Sequence, residues 1–482
     1  MPVLADGRVT MRGGSPRAKV AVRHGRLVRV PVPAPPISAS DERSAPASAP
    51  APQLAGRTKV AILLFVSTLF VPSIFFVGPV VLTPTLLYLA LGFIPSLALW
   101  IAGRAGARTA TDTLVLAFAG WAFLTRLILL DVGEALEPAG VILLQTAGAY
   151  FAGRVLVQNA AATRLVFGTA VIGVALMLPF LLWESLTGTK SLLNAAAVFG
   201  KTLVPTQMDP RWGFQRSQGV FEHPILLGMF VATLLSPVIF MFDGTEGRWK
   251  RWLAAPLVVL AAMTSLSTGA LLSMNIQFGL TLWNAALRSV EKRWTILIWL
   301  VVILYVTADL LSNRTPFHLF VDYATFSAQS SYNRILIWQF GSAAVMDAPL
   351  FGHGTDDWER PAFMHASMDN FWLVIAYRYG LPGFLFLAAA FFLTIWRITR
   401  YKHDDQQGRD MRLAVIFSLV ATMIAAVSVH LWNNSYIWLM FMLGAVAWMA
   451  RTDDGEAKTP PVVDEEHPST ESRHARLRRL GF

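Results

Sequence analysis

Between residues 59 and 450 the chain is a succession of long apolar runs, at about 59–77, 80–102, 111–130, 137–153, 165–184, 223–242, 252–267, 269–287, 294–311, 381–398, 412–431 and 434–450. A hydrocarbon core of about 30 Å takes roughly 20 residues of helix to cross, and no soluble core needs so many segments of that length. In lipid each backbone amide must be satisfied within its own element, so such runs fold as helices. Composition agrees: 55% hydrophobic residues with only 15% charged lies far outside the soluble range. The expected fold is all-α, a polytopic membrane protein with about 12 transmembrane helices and a large helical loop on its outer side.

The charge of +10 is distributed so as to orient the chain. Residues 1–58 are rich in Pro, Ala, Ser and Arg and lack the apolar stretch of a signal peptide, so they read as a disordered basic cytoplasmic tail. Residues 451–482, with Pro460, Pro461 and a basic end at Arg476, Arg478 and Arg479, read as a second one. With the N-terminus inside, the loops holding Arg104 and Arg108, Arg154 and Arg164, Lys250 and Arg251, Arg288 and Arg293, and Arg397 and Arg412 all fall in the cytoplasm. The acidic loop of Asp131, Glu134 and Glu137 falls outside.

Two outward segments depart from this pattern. The first, about 185–222, carries Lys190, Lys201, Arg211 and Arg216 where basic residues are usually scarce. The second, about 312–370, holds Arg314, His318, Arg334, His353, Arg360 and His365 with Trp338 and Trp358, enough apolar content for short helices folded over a cavity. Arg126 and Arg378 lie inside apolar runs, where an ionised side chain is costly and therefore a functional suspect; snorkelling or helix pairing is the plain alternative. The chain has no cysteine, no nucleotide-binding glycine loop and no metal-ligand spacing, so no cofactor, no metal and no nucleic acid is expected.

The run Arg216-Ser-Gln-Gly219-Val-Phe-Glu-His223-Pro224 resembles the Arg-x-x-Gly-x-Phe-x-x-Pro signature of the bacterial O-antigen ligase and polysaccharide polymerase family. Tyr332-Asn-Arg334-x-x-x-Trp338, then Ala348-Pro349-Leu350-Phe351-Gly352-His353-Gly354, Asp369-Asn370-Phe-Trp-Leu373 and Gly380-Leu-Pro-Gly383 follow in that family's order. The resemblance implies an inverting, metal-free glycosyltransferase of the bacterial inner membrane, working at its periplasmic face with both termini cytoplasmic. Its donor would be a polyprenyl-diphosphate-linked saccharide and its acceptor a glycan or glycolipid hydroxyl. Membrane lipids and other polysaccharide assembly proteins would be its partners.

A leaving diphosphate calls for forked, permanently charged donors, for which Arg216 and Arg334 are the leading candidates and Arg211 a third; a solvated loop arginine is the plain alternative. An acceptor hydroxyl needs a base. The family's ligases place a histidine just before an asparagine, whereas here Asp369 precedes Asn370 and His365 lies four residues earlier. Were this stretch helical, Asp369 could orient His365; otherwise Asp369 is itself the base, or only a helix cap. His353 and His223 are further candidates, His353 as a phosphate or sugar contact or simply a loop residue. Many family members carry an arginine where Thr268 precedes Gly269-Ala270, and the form Asp-Asn-x-Trp-Leu looks more like polymerases of exopolysaccharide repeat units than like ligases. A transporter or flippase of lipid-linked saccharide is the reading from a different class, although no internal repeat points to it.

Overall fold

The structure, a computed structural model, describes residues 20–23, 26–29, 54–78, 80–241, 248–311, 328–401 and 405–450. The expected C-terminal tail, Arg314, His318 and most of the N-terminal tail lie outside the described residues. The chain divides into a unit of residues 1–53 and one of residues 54–482. In the first, where sequence predicts no regular structure, β1 (Val20–Arg23) pairs antiparallel with β2 (Arg26–Arg29), Val20 facing Arg29.

The second unit is almost wholly helical. Its elements are α1 (Gly56–Thr68), α2 (Pro84–Ile101), α3 (Ala110–Leu129), α4 (Val132–Leu143), α5 (Ala149–Leu156), α6 (Ala160–Thr187), α7 (Ser191–Ala197), α8 (Pro224–Ala232) and α9 (Leu235–Met241). They continue with α10 (Arg248–Thr264), α11 (Thr268–Ala286), α12 (Arg293–Leu311), α13 (Ala328–Asp347), α14 (Phe371–Arg400), α15 (Gln406–Ala425) and α16 (Asn433–Ala445). Seven stretches among the described residues are long and apolar enough to cross a membrane: Pro84–Ile101, Ala110–Leu129, Val132–Leu156, Ala160–Thr187, Pro224–Met241, Arg293–Leu311 and Phe371–Arg400. The chain is thus a helical protein with the helices of a membrane protein.

The run at 59–77, expected as one span, is instead divided. α1 ends after 13 residues, Pro72 follows, and β3 (Phe75–Val77) pairs with β4 (Val80–Leu82) in a short hairpin. Proline lacks the amide a helix would need there, and the chain beyond it is held by the segment at 201–203: Ile74 N donates to Lys201 O and Leu203 N to Pro72 O. α11 and α15 are long enough but carry Asn275 and Gln277, or Arg409, Asp410 and Arg412, which lowers their apolar content. Among the described residues of the second outward segment, expected as short helices, stands α13, a helix of 20 residues, followed by an irregular stretch to Asn370.

α16 has only 13 residues, but every residue from Asn434 to Ala445 is buried, so it is solvated by protein rather than by lipid. Its closest approach is to α5, where a Cβ on Gly153 would strike Phe441 O and one on Gly444 would strike Tyr150 O. Small residues are what allow backbones so near, and dispersion is the gain where apolar burial from water is not. Arg154, assigned by sequence to a basic loop, is 1% exposed beside the same contact. Its Nε donates to Asp112 at 2.9 Å and its Nη2 to Ala107 O at 2.8 Å, while the Tyr150 hydroxyl donates to Asp112 at 2.6 Å. Asp112 also closes the capping box of α3 with Thr109. Such a pair is tolerable in the interior because its lone pairs and N–H groups are met.

Candidate functional site

Arg216 lies in the irregular stretch between α7 and α8, and its loop is built on a carboxylate that sequence did not single out. Glu184, 1% exposed near the end of α6, accepts from Gln218 N at 2.6 Å, Gly219 N at 3.2 Å and Lys190 Nζ at 2.8 Å. Lys190 also donates to Arg216 O at 3.1 Å, and the Ser217 hydroxyl donates to Leu181 O at 2.8 Å. Gly219 sits at φ 57°, with Leu181 where a Cβ would be. The Arg-x-x-Gly spacing therefore reflects a backbone wrapped around one buried carboxylate. A signal for it existed in the single acidic residue inside the run at 165–184.

The turn from α10 to α11 receives two guanidiniums. Arg216 Nε donates to Ser265 O at 3.3 Å, and Arg211 Nη1 to Leu266 O at 2.7 Å. Leu266 holds φ 46°, a left-handed conformation that a leucine rarely adopts, and such strain gathers at functional sites. Arg334, on α13, reaches the same place from the other side. Its Nε donates to Ser428 O at 3.0 Å, Nη1 to Ser330 O at 3.3 Å and Nη2 to the Thr268 hydroxyl at 2.8 Å.

The three arginines and Asp369 share one electrostatic environment. Burial, then the positive charge of Arg211, lowers the pKa of Arg216 to about 10, with Asp369 opposing and Arg334 adding to the fall. Burial lowers that of Arg334 as well, again with Asp369 opposing and Arg211 contributing. Around Arg216, then, the charges of Arg211 and Arg334 are opposed by that of Asp369 alone, so the four residues carry an excess of two positive charges. Guanidinium has five N–H donors, of which Arg334 commits three and Arg216 two, the second of these to Met208 Sδ at 3.1 Å. Each is thus fixed in place with donors to spare.

The remaining candidates separate. Asn370 is the N-cap of α14, its Oδ1 accepting from Leu373 N at 3.1 Å, so Asp369 stands one residue before the cap and is not the cap itself. Residues 361–370 are not helical, and the i, i+4 partnership of His365 with Asp369 does not form: His365 is exposed, and Asp369 accepts from the Ser367 hydroxyl at 2.6 Å. His223 caps α8, its Nδ1 accepting from Ile225 N at 3.1 Å; burial and the charges of Arg216 and Lys190 lower its pKa to about 4. It is therefore a neutral donor through Nε2 at the edge of the cluster.

His353 is built into a joint of the fold. Its Nε2 donates to Ala344 O at 2.8 Å, its ring stacks on Tyr377 at 4.6 Å, and its backbone N donates to Tyr377 O at 2.8 Å. Gly380, at φ 69°, breaks α14 there, and Leu381 N donates to Pro349 O at 2.7 Å. The Pro349-to-Gly354 and Gly380-to-Gly383 motifs are accordingly the two halves of one joint between a loop and a helix break. From Asn370 an apolar groove of about 510 Å³ runs between α13 and α14, lined by Trp338, Val345, Trp372, Leu373 and Phe384. Arg126 and Arg378 line a cavity of about 600 Å³ that none of the three clustered arginines lines.

Among the described residues no group of His, Cys, Asp or Glu could hold a metal ion. Compared with protein-family models and with curated proteins, the chain matches none.

Proposed function

We propose that this chain is a membrane glycosyltransferase that takes a saccharide from a polyprenyl-diphosphate donor and passes it to an acceptor hydroxyl, as a polymerase of exopolysaccharide or O-antigen repeat units. The observation that carries the reading is the gathering of Arg211, Arg216 and Arg334 with Asp369, from three separate stretches of the sequence, next to Asn370, where an apolar groove begins. A diphosphate diester carries two negative charges, the excess that this cluster presents, and its prenyl chain suits the groove beginning at Asn370. The acceptor oxygen attacks the anomeric carbon, the carbon–oxygen bond to the diphosphate breaks, and the anomeric centre inverts. Asp369 takes the hydroxyl proton; the lipid diphosphate departs with its new charge held by the guanidiniums. Stabilising charge that develops only as the bond breaks is differential binding of the transition state.

In this reading about twelve helical segments cross the inner membrane, both termini are cytoplasmic and the cluster faces the periplasm. Transfer to a lipid core, as in a ligase, is the runner-up, and flipping of the same lipid the reading without chemistry. The decisive measurement gives the purified chain a lipid-diphosphate saccharide and follows glycosidic bond formation and donor binding separately. Bond formation lost in Arg216→Lys and Arg334→Lys, in folded protein, supports the transferase; donor movement across a bilayer with no bond formed rejects it. Loss of the gene separates the first two readings, since single repeat units left on lipid indicate a polymerase and full-length chains a ligase.

A further inference from the structure

The cavity of about 600 Å³ bounded by α3, α4, the 355–368 stretch and the first turns of α14 is lined by none of the three clustered arginines. Arg126, near the end of α3, is 3% exposed, and its Nε and Nη1 have no hydrogen-bond partner. Its one polar contact is a long donation from Nη2 to the Tyr379 hydroxyl at 3.5 Å, with the guanidinium 5.4 Å from that ring. Arg378 lines the same cavity from α14, and neither arginine has an ion pair among the described residues. Buried N–H groups left without acceptors carry the full cost of desolvation, and a small turn of the Arg126 side chain towards the cavity that it lines would let an incoming anion recover that cost.

The other walls say what carries the anion. A π-helical turn at Leu144–Gly148 places Gln145 in the cavity, where its Nε2 donates to Asn433 Oδ1 at 3.2 Å, leaving the Gln145 carbonyl for a ligand. Asn433 is held at φ 46°, one of three non-glycine residues with a positive φ among those described. Asp356 supplies acceptors for hydroxyl groups, and Trp358 and Trp432 supply ring faces, Trp358 being fixed by donation from Nε1 to Ala366 O at 2.9 Å. Paired guanidiniums beside amides, a carboxylate and indoles match a polyhydroxylated ring bearing one carboxylate; a diphosphate, with two charges, would meet Asp356 and Asp357 as like charges.

We infer that this cavity is a binding site for an acidic saccharide, a hexuronate-type ring whose carboxylate is held by Arg126 and Arg378. Its role as the acceptor subsite rests on the transferase reading; its ligand class does not.

The test titrates the full chain in lipid nanodiscs with glucuronate-, galacturonate- and mannuronate-containing disaccharides, with neutral disaccharides of the same linkages, and with inorganic pyrophosphate. At least one uronate should bind tenfold or more tightly than its neutral counterpart, and both Arg126→Gln and Arg378→Gln should erase that preference. Arg378 is only partly buried, so Arg378→Gln serves if Arg126→Gln does not fold. Equal affinity for neutral sugars, binding of no uronate, or a uronate preference that survives Arg378→Gln overturns the inference, as does pyrophosphate binding that Arg378→Gln abolishes. Pyrophosphate binding unchanged in Arg334→Gln, with the uronate preference intact, would count against the transferase site alone and leave the saccharide cavity standing.

Discussion

Arg334 Nη2 donates to the hydroxyl of Thr268 at 2.8 Å, so the residue that stands where the resemblance leads one to expect an arginine serves instead as the rest for an arginine from another helix. Charge at this point of the site is supplied from α13 rather than from α11. A hydrogen bond to a charged group contributes about 1.5–3 kcal/mol. Thr268→Val, which keeps the shape and removes the acceptor, should lower saccharide transfer by roughly tenfold while the chain still folds. Arg334→Lys keeps one charge but cannot hold Ser428 O, Ser330 O and Thr268 at once, and should cost about a hundredfold or more in transfer. Initial rates with thermal unfolding as the control decide both.

Asp369 and His365 should part company. Asp369 is partly buried and bound electrostatically to Arg216 and Arg334, whereas His365 is exposed on an irregular stretch. Asp369→Asn should reduce transfer by about 10²–10⁴-fold with donor binding little changed, the usual loss for a general base. His365→Ala should stay within a few-fold of the parent. The reverse order of effects would move the base to the histidine.

Glu184 holds the Arg216 loop and neutralises the half-buried Lys190, so its removal leaves that cation and two buried backbone N–H groups without their acceptor. Glu184→Ala should destabilise the chain by about 3–5 kcal/mol, and pairing it with Lys190→Met should restore part of that loss. Unfolding of the two single variants and the double variant gives the coupling directly. Independent, additive effects would mean that the backbone donations from Gln218 and Gly219, not the ion pair, dominate.

Gly380 cannot accept a side chain. At φ 69° an alanine is strained, and its Cβ would collide with Leu350 O. Gly380→Ala should therefore unfold several degrees below the parent and lose transfer, because the joint that seats the Pro349 loop opens. A Gly380→Ala chain as stable as the parent would show that the joint is soft.

His223 makes stability fall on acidification. Its folded pKa, about 4, lies below the ordinary 6.5, so between those values the unfolded chain takes up a proton that the folded chain refuses, and stability drops as pH falls from 6.5 towards 4. Glu222, whose carboxyl burial raises, acts in the opposite sense. The difference between parent and variant isolates His223. His223→Asn keeps a good cap for α8 and should flatten part of the loss between pH 6.5 and 4. Parallel pH profiles for the two chains would show that His223 is protonated in the folded state.

Much was legible in local pattern. Apolar runs of helical length determine helices wherever lipid or a dry core is the solvent, and all twelve expected runs contain helix, the run at 59–77 ending early at Pro72. Arg211, Arg216 and Arg334 stood out in sequence because basic residues are scarce in outward segments, and the structure gathers them beside one turn. What sequence could not supply is any relation through space. That Glu184 organises the Arg216 loop, that Thr268 receives Arg334 and that His353 packs into a joint all depend on hydrogen bonds between segments 30 or more residues apart, or between a loop and a helix break. The helical reading of residues 365–369 failed for the same reason: Phe371 N donates to Ala426 O and Val429 O, so the backbone entering α14 is set by the turn after α15 and not by its own propensity. Side-chain periodicity decides which elements form, whereas close packing and the satisfaction of buried polar groups decide which of their residues meet.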